Sequence, residues 1–204
     1  MKLIVDYQYF GNVNLYSALC KSTHIIFEQC EQYQKSSFRN KMVLPTPQGV
    51  LQLSIPIKGG RACRLPTTSV SIDYSKPWQK VHIKTIDTLY NRSPWYEYYK
   101  NDLYELYQTK PTYLAEWNYT CIKWVIYKLK FTATMTVTTE FKLQYPVEEF
   151  IDYRTSIKKK STITEDSNIV YHQVHEHIIG FIPNMCILDV LFCEGPNAIN
   201  ILNN

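Results

Sequence analysis

Apolar positions recur at helical spacing through Asn12 to Ser22, where Val13, Tyr16, Leu19 and Cys20 share a face, and the run Thr23-His24-Ile25-Ile26-Phe27 that follows is β-branched and aromatic. The pattern predicts a helix and then a strand. Lys41 to Leu44 and Val50 to Ile57 flank Pro45-Thr46-Pro47-Gln48-Gly49, which predicts a hairpin closed by a Pro/Gly turn, with a loop from Lys58 to Arg61. Asp73-Tyr74-Ser75-Lys76-Pro77 reads as a helix start, Ser75 capping and Pro77 in the first turn. That helix runs to about Tyr90, with Val81, Thr85 and Thr88 on a face bordered by His82 and Leu89.

Pro94 starts a second helix, opened by the aromatic run Trp95-Tyr96-Glu97-Tyr98-Tyr99 and ending at Thr109. Thr112 to Lys130 predicts a third, with Leu114, Trp117, Cys121, Trp124, Val125 and Leu129 on one side. Phe131 to Phe141 is threonine-rich and β-branched, hence a strand. Ile178 to Phe192 turns apolar again around Gly180 and Pro183, and Met185 to Phe192 reads as a short helix stopped at Gly195-Pro196. The elements predict an α+β fold. Its sheet, mixed or antiparallel, comes from strands near 23–28, 41–57 and 132–141 and is packed by the aromatic-rich helical segment 76–130.

Composition narrows the class. With 204 residues, 45% hydrophobic and 20% charged, the chain fits one globular domain spanning 1–204 and can bury a sizeable core. Its longest apolar stretches, such as Leu51 to Ile57, fall far short of the roughly 18 residues a membrane span needs. Met1-Lys2-Leu3-Ile4-Val5-Asp6 lacks the features of a signal peptide. The 6 cysteines form no C-x-x-C pair, and a chain this long does not depend on bridges, so reduced thiols are expected. A formal charge of +4, with basic residues scattered and not striped, argues against nucleic acid and fits an anionic small molecule. The 17 tyrosines against 6 glycines are what an AT-rich genome produces. The expected location is cytoplasmic, in a bacterium or, for a large DNA virus, in the host cytoplasm or viral factory.

No motif of the chain announces a reaction. His172-x-x-His175-x-His177 invites a metal, yet neither a helix nor a strand puts all three on one face, and no metal is expected. Cys186, with Asp189 one helical step on and His82 from elsewhere, has the makings of a nucleophile, orienter and base, though a buried Cys is more often a small core residue. Asp152, Asp189 and Glu194 lack the paired spacing of glycoside chemistry, and there is no Walker loop, G-x-G-x-x-G or G-x-S-x-G. Lys158-Lys159-Lys160 reads as a solvated loop before it reads as a phosphate clamp.

Blocks in a fixed order do carry a resemblance. Glu31-x-Tyr33-x-Lys35-x-x-x-Arg39-Asn40 leads to the hairpin end Ile55-Pro56; Trp78-x-x-x-His82-x-x-Thr85-Ile86-x-x-x-Tyr90-x-x-x-Pro94-x-x-x-Tyr98-Tyr99 follows. Then come Tyr171-x-Gln173-Val174 and Gly180-Phe181-Ile182-Pro183-Asn184, continuing through Ile187-Leu188-Asp189 to Glu194-Gly195-Pro196-Asn197. Together they resemble the WbqC-like protein family, whose members are encoded beside genes for surface polysaccharide and unusual nucleotide-linked sugars.

The resemblance implies N-acylation of an amino sugar, with acetyl-CoA or another acyl thioester as donor, including a glycyl group on a carrier protein. It implies His82 as the base that takes the amine's proton; a structural His82 capping a neighbouring loop is the plainer alternative. Lys35, Arg39 and Arg154 are candidates to hold the diphosphate, Tyr33, Trp78, Tyr98 and Tyr99 to give flat faces, with core and rim packing the plainer role for any single tyrosine, and Gln173 and Asn184 to meet sugar hydroxyls or a carbonyl; Asn40 is a further substrate-binding candidate. The family often has Ser where this chain has Cys186, and the histidines at 172, 175 and 177 lie outside its pattern. A thiol hydrolase built on Cys186 and His82 therefore ranks last, behind a noncatalytic sugar-nucleotide or glycan-binding module that serves a glycosyltransferase.

Overall fold

The computed structural model describes residues 2–34, 37–60, 65–154 and 169–204. Its first half runs β1 (Lys2–Asp6), α1 (Val13–Cys20), β2 (His24–Glu28), β3 (Lys41–Thr46) and β4 (Gly49–Ser54). The long helices α2 (Trp78–Tyr90), α3 (Tyr96–Gln108) and α4 (Leu114–Leu129) follow. The chain closes with β5 (Thr134–Val137), β6 (Phe150–Asp152), α5 (Glu176–Ile179), α6 (Ile187–Glu194) and α7 (Ala198–Asn203).

The fold is α+β, with parallel and antiparallel pairings both present, but they lie in separate sheets. The main sheet has the order β5-β2-β1-β6, and every pairing in it is parallel. β3 and β4 form their own antiparallel hairpin, Lys41 opposite Ser54 and Thr46 opposite Gly49. β1, β6, α5 and α7 are unforeseen, and of these β1 sits in the middle of the main sheet. Leu3, Ile4 and Val5 are all buried, so this strand is covered on both faces and shows a continuous apolar run where a half-exposed strand would alternate.

Helix ends depart from the spacing by a turn or less, for local reasons. α2 starts at Trp78 with Pro77 as its cap residue, and Ser75 is used differently: its N–H donates to Asp73 Oδ1 at 2.8 Å. α1 begins one residue after Asn12, whose Oδ1 accepts from Leu15 N at 2.9 Å. α4 ends at Lys130 in the left-handed region, φ 57°. The strand expected over 131–141 is paired only over Thr134–Val137.

One hydrophobic core reaches from Leu3 to Leu202 and joins the sheet to the helices. Its centre is aromatic: Trp78 crosses Trp117 edge-on at 5.6 Å, and Tyr107 crosses Trp117 at 5.3 Å. A tight contact joins α3 to the C-terminal helices, where the Trp95 N–H donates to Phe192 O at 3.0 Å. The Trp95 indole covers Gly195 so closely that a Cβ there would lie 2.2 Å from the ring. Gly195 has φ 54° and ψ −127°, a conformation that suits glycine alone.

Candidate functional site

Because β1, β2 and β6 run parallel, their last residues Asp6, Glu28 and Asp152 reach the same edge of the sheet. The strand order reverses at β1, the place where open parallel sheets hold ligands. Arginines meet these carboxylates. Arg39 Nη2 lies 3.1 Å from Asp6 Oδ2 and 2.7 Å from Glu31 Oε2, with all three side chains buried. Arg154 donates from Nη1 to Glu28 Oε2 at 2.8 Å, from Nε and Nη2 to Asp152 at 2.8 and 2.6 Å, and from Nη2 to Lys142 O at 3.0 Å. Its guanidinium also lies 5.0 Å from the centre of the Tyr145 ring.

Amides complete the edge. Gln8 Nε2 donates to Asp6 Oδ1 at 3.2 Å, and Asn118 Nδ2 donates to the carbonyls of Tyr7 and Arg39 at 3.2 and 2.6 Å. Buried Gln8 Oε1, Arg39 Nε and Asn118 Oδ1 have no hydrogen-bond partner among the described residues. Tyr33 and Asn40 border this network: the Tyr33 hydroxyl donates to Asn40 Oδ1 at 2.9 Å, and Asn40 Nδ2 donates to Ile55 O at 3.0 Å.

The first helix after β1 does not offer its amides to a phosphate. Val13 N donates to Met185 O at 3.0 Å, Asn14 N to Asn184 Oδ1 at 3.1 Å, and Leu15 N to Asn12 Oδ1. The loop carrying Asn184, itself at φ 57°, closes that end. Asn184 therefore serves the chain's own backbone.

His82 is sealed. Its Nδ1 is 2.9 Å from the Tyr9 hydroxyl, and Tyr9 in turn makes a short hydrogen bond with the Tyr107 hydroxyl. The ring is stacked on Tyr9 at 5.8 Å and crosses Trp78 edge-on at 5.2 Å, so that Trp78 too is spent on the core. Burial pulls the His82 pKa down to about 4, against a smaller opposing effect from the Ser54 backbone, and leaves the imidazole neutral at pH 7. At 3% exposure it has no open path to a substrate. His82→Ala is expected to lower stability by about 1 to 3 kcal/mol, as Tyr9 loses its partner, and to leave any activity of the folded fraction unchanged. Urea unfolding beside a rate measurement checks this; a fully stable variant slowed by about 10²-fold or more would restore His82 as a base.

A model of the WbqC-like protein family matches residues 8–165. The chain belongs to the WbqC-like protein family. No curated protein and no solved structure matches it. The matched span of this WbqC-like chain takes in the arginines of the sheet edge and the His82 helix, and ends before Gln173, Asn184 and Asp189. Among its described residues no helix is long and apolar enough to cross a membrane, and no group of three His, Cys, Asp or Glu side chains has the geometry to hold a metal ion.

The remaining candidates of the WbqC-like chain are scattered. Asp189 is fully buried and accepts from the Tyr90 hydroxyl at 2.8 Å, the Tyr171 hydroxyl at 2.7 Å and Gln173 Nε2 at 2.9 Å. Gln173 also donates to Ile182 O and accepts from Ile182 N, at 2.9 and 2.8 Å, which pins the loop of Phe181 and Pro183 to Asp189. Cys186 is buried, and burial pushes its thiol up to about 12, far from a thiolate at pH 7. The Asp189 N–H donates to Cys186 O at 2.9 Å, but no side-chain hydrogen bond links Cys186, Asp189 and His82 among the described residues. Tyr98 is exposed beside Trp95, whereas neighbouring Tyr99 is buried against Trp124 and Phe192. His172 is exposed, 3.9 Å from Glu176. Lys35 and Lys158-Lys159-Lys160 lie outside the described residues.

Burial raises the Asp189 carboxyl to about 6, and the hydrogen bonds from Tyr171, Tyr90 and Gln173 counter only part of that. Because the folded-state value exceeds the unfolded 3.8, the native state binds more protons between them. The group's contribution is whole in acid and is lost as pH rises through about 6, amounting to roughly 3 kcal/mol. His82 has the opposite sign: its contribution is present above 6.5 and is lost as pH falls through about 4. Asp189→Asn should therefore expose a stability that climbs with pH over this window, and His82→Phe one that declines. Chemical unfolding from pH 4 to pH 7 reads both; slopes equal to the wild-type one would show that neither group titrates there.

Proposed function

We propose that the chain is an N-acyltransferase that carries an acyl group from a thioester, acetyl-CoA in the simplest case, to the amino group of a nucleotide-linked 4-amino-4,6-dideoxy sugar. The observation that carries this reading is the group of carboxylates that the parallel strands bring to one edge of the main sheet, where Asp152 lies toward solvent with Asp6, Glu28 and Glu31 buried behind it around Arg39 and Arg154. An amino sugar arrives as an ammonium ion, and a carboxylate open to solvent at this edge attracts it. Asp152, at 19% exposure, is the most open of the four. Membership of the WbqC-like family supports the sugar class.

The step needs little from the side chains beyond orientation. The ammonium loses a proton to solvent, the nitrogen lone pair attacks the thioester carbonyl carbon, the C–S bond breaks, and the departing thiolate takes the second proton from nitrogen. This accords with the sealed positions of His82 and Cys186. Purified chain with such a sugar and acetyl-CoA is expected to release free thiol and acylated sugar, followed by thiol assay and mass spectrometry. A glycyl thioester on a carrier protein is the second donor to try. Absence of thiol with every donor and amino sugar removes acyl transfer.

The buried state of His82, Cys186 and Asp189 favours a second reading, a noncatalytic sugar-nucleotide-binding module that serves a glycosyltransferase. A rise in melting temperature with the nucleotide-linked sugar, without thiol release, identifies it.

A further inference from the structure

Between α2 and the end of α3 lies an open groove of about 300 Å³ lined by Gln79, Lys80, Ile83, Tyr104, Gln108 and Lys110, with Tyr107 at its base. None of these residues belongs to the sheet edge. Ile83 and Tyr104 give the groove an apolar wall, and the lysines stand exposed at its rim.

The charges of the groove are uncompensated. Lys100, Lys128 and Lys142 are paired with Glu97, Asp102 and Glu140, but Lys80 and Lys110 have no carboxylate partner among the described residues. Two nearby sources of negative charge are already answered. The last carbonyls of α3, which carry the negative end of its dipole, accept from Gln79 Nε2: Tyr107 O at 2.8 Å and Thr109 O at 2.6 Å. Asp87, one turn beyond Ile83 on α2, accepts from the hydroxyls of Tyr96 and Tyr104. The Gln79 bonds also brace the two helices against each other, so the groove is formed before anything enters it.

We propose that this groove binds a nucleoside phosphate. Lys80 and Lys110 hold the phosphate, Tyr104 and Ile83 take the flat base, and the Gln108 amide with the Gln79 carbonyl oxygen meets the polar edge of the base or ribose. The size agrees, since about 300 Å³ is the lower end of small-molecule sites and fits a nucleoside phosphate but not an entire coenzyme. The arginines expected to hold a diphosphate do not compete for this role, because Arg39 and Arg154 are committed to carboxylates. The proposal stands on the groove and does not require acyl transfer.

Calorimetric titration of the full chain with thymidine diphosphate and with adenosine 3′,5′-bisphosphate tests it, with thymidine and inorganic pyrophosphate as controls. Both probes are nucleoside phosphates: tighter thymidine diphosphate assigns the groove to the nucleotide-linked sugar, and tighter bisphosphate assigns it to the thioester donor. The Lys80→Glu/Lys110→Glu variant, changed only at exposed positions, is expected to keep its melting temperature and to bind at least about tenfold more weakly, whereas Lys80→Arg/Lys110→Arg keeps the affinity. Equal affinity in the Glu variant, pyrophosphate binding as tight as that of the nucleotides, or no nucleotide binding at millimolar concentration overturns the proposal. Thiol release that persists while this titration fails keeps the acyltransferase and removes the groove; the reverse outcome does the opposite.

Discussion

Arg39→Met is expected to destabilise the chain by about 4 kcal/mol, because it takes the guanidinium away from the buried Asp6 carboxylate and breaks the Arg39–Glu31 ion pair. Arg39, Asp6 and Glu31 are 3%, 2% and 5% exposed, so water cannot take over the role of the guanidinium. Met fills much of the same volume, so the loss reflects charge and not a cavity. Equilibrium unfolding in urea measures it, and adding Asp6→Asn should recover part of the loss by removing a buried charge that has lost its cation. A single variant as stable as wild type would mean that Arg39 is not needed by its carboxylates. Its guanidinium would then be free to hold a substrate phosphate, as the resemblance implies.

Gly195→Ala should be of similar size, about 4 kcal/mol, from two causes that act together. A methyl group cannot stand 2.2 Å from the Trp95 indole, so the ring or the backbone has to shift. In addition, φ 54° with ψ −127° is a conformation that any L side chain strains to adopt. Trp95→Ala in the same chain makes room for the methyl group but not for the backbone, so the double variant should recover only part of the loss beyond that of Trp95→Ala alone. A Gly195→Ala protein with an unchanged melting temperature would contradict both causes.

The long helices were legible in extent, and on α4 also in face, since Trp117, Cys121 and Val125 are buried where the spacing puts them; on α2 the face of Val81, Thr85 and Thr88 turns outward, and Trp78, His82, Ile86 and Leu89 are buried instead. β1 was not legible, because five residues covered on both faces carry no alternation, and β6 is only three residues long. The arginines of the sheet edge could be singled out as cations, but their fate could not: Glu28 is 126 positions from Arg154, and no local pattern announces that pairing. Asp6 did have a signal, an acidic residue at the end of the run Leu3-Ile4-Val5. His82 was visible as a residue of the aromatic helix block, whereas its enclosure by Tyr9, Trp78 and Tyr107 depends on chain segments that meet only in three dimensions. The groove lysines passed unnoticed because exposed lysines on a helix look alike until their neighbours are known.

The pairing of Lys2 with Phe150 sets the order in which the chain can assemble on the ribosome. β1 is made first, and β2 reaches one of its edges early, yet the other edge has no partner until residue 152 has emerged. At roughly 5 to 20 residues per second that is a wait on the order of ten seconds. During it, a strand as apolar as Leu3-Ile4-Val5 presents open hydrogen-bonding groups to any neighbouring chain. Slower synthesis or chaperone shelter is therefore expected to raise the yield of folded chain by shielding that open edge until β6 arrives.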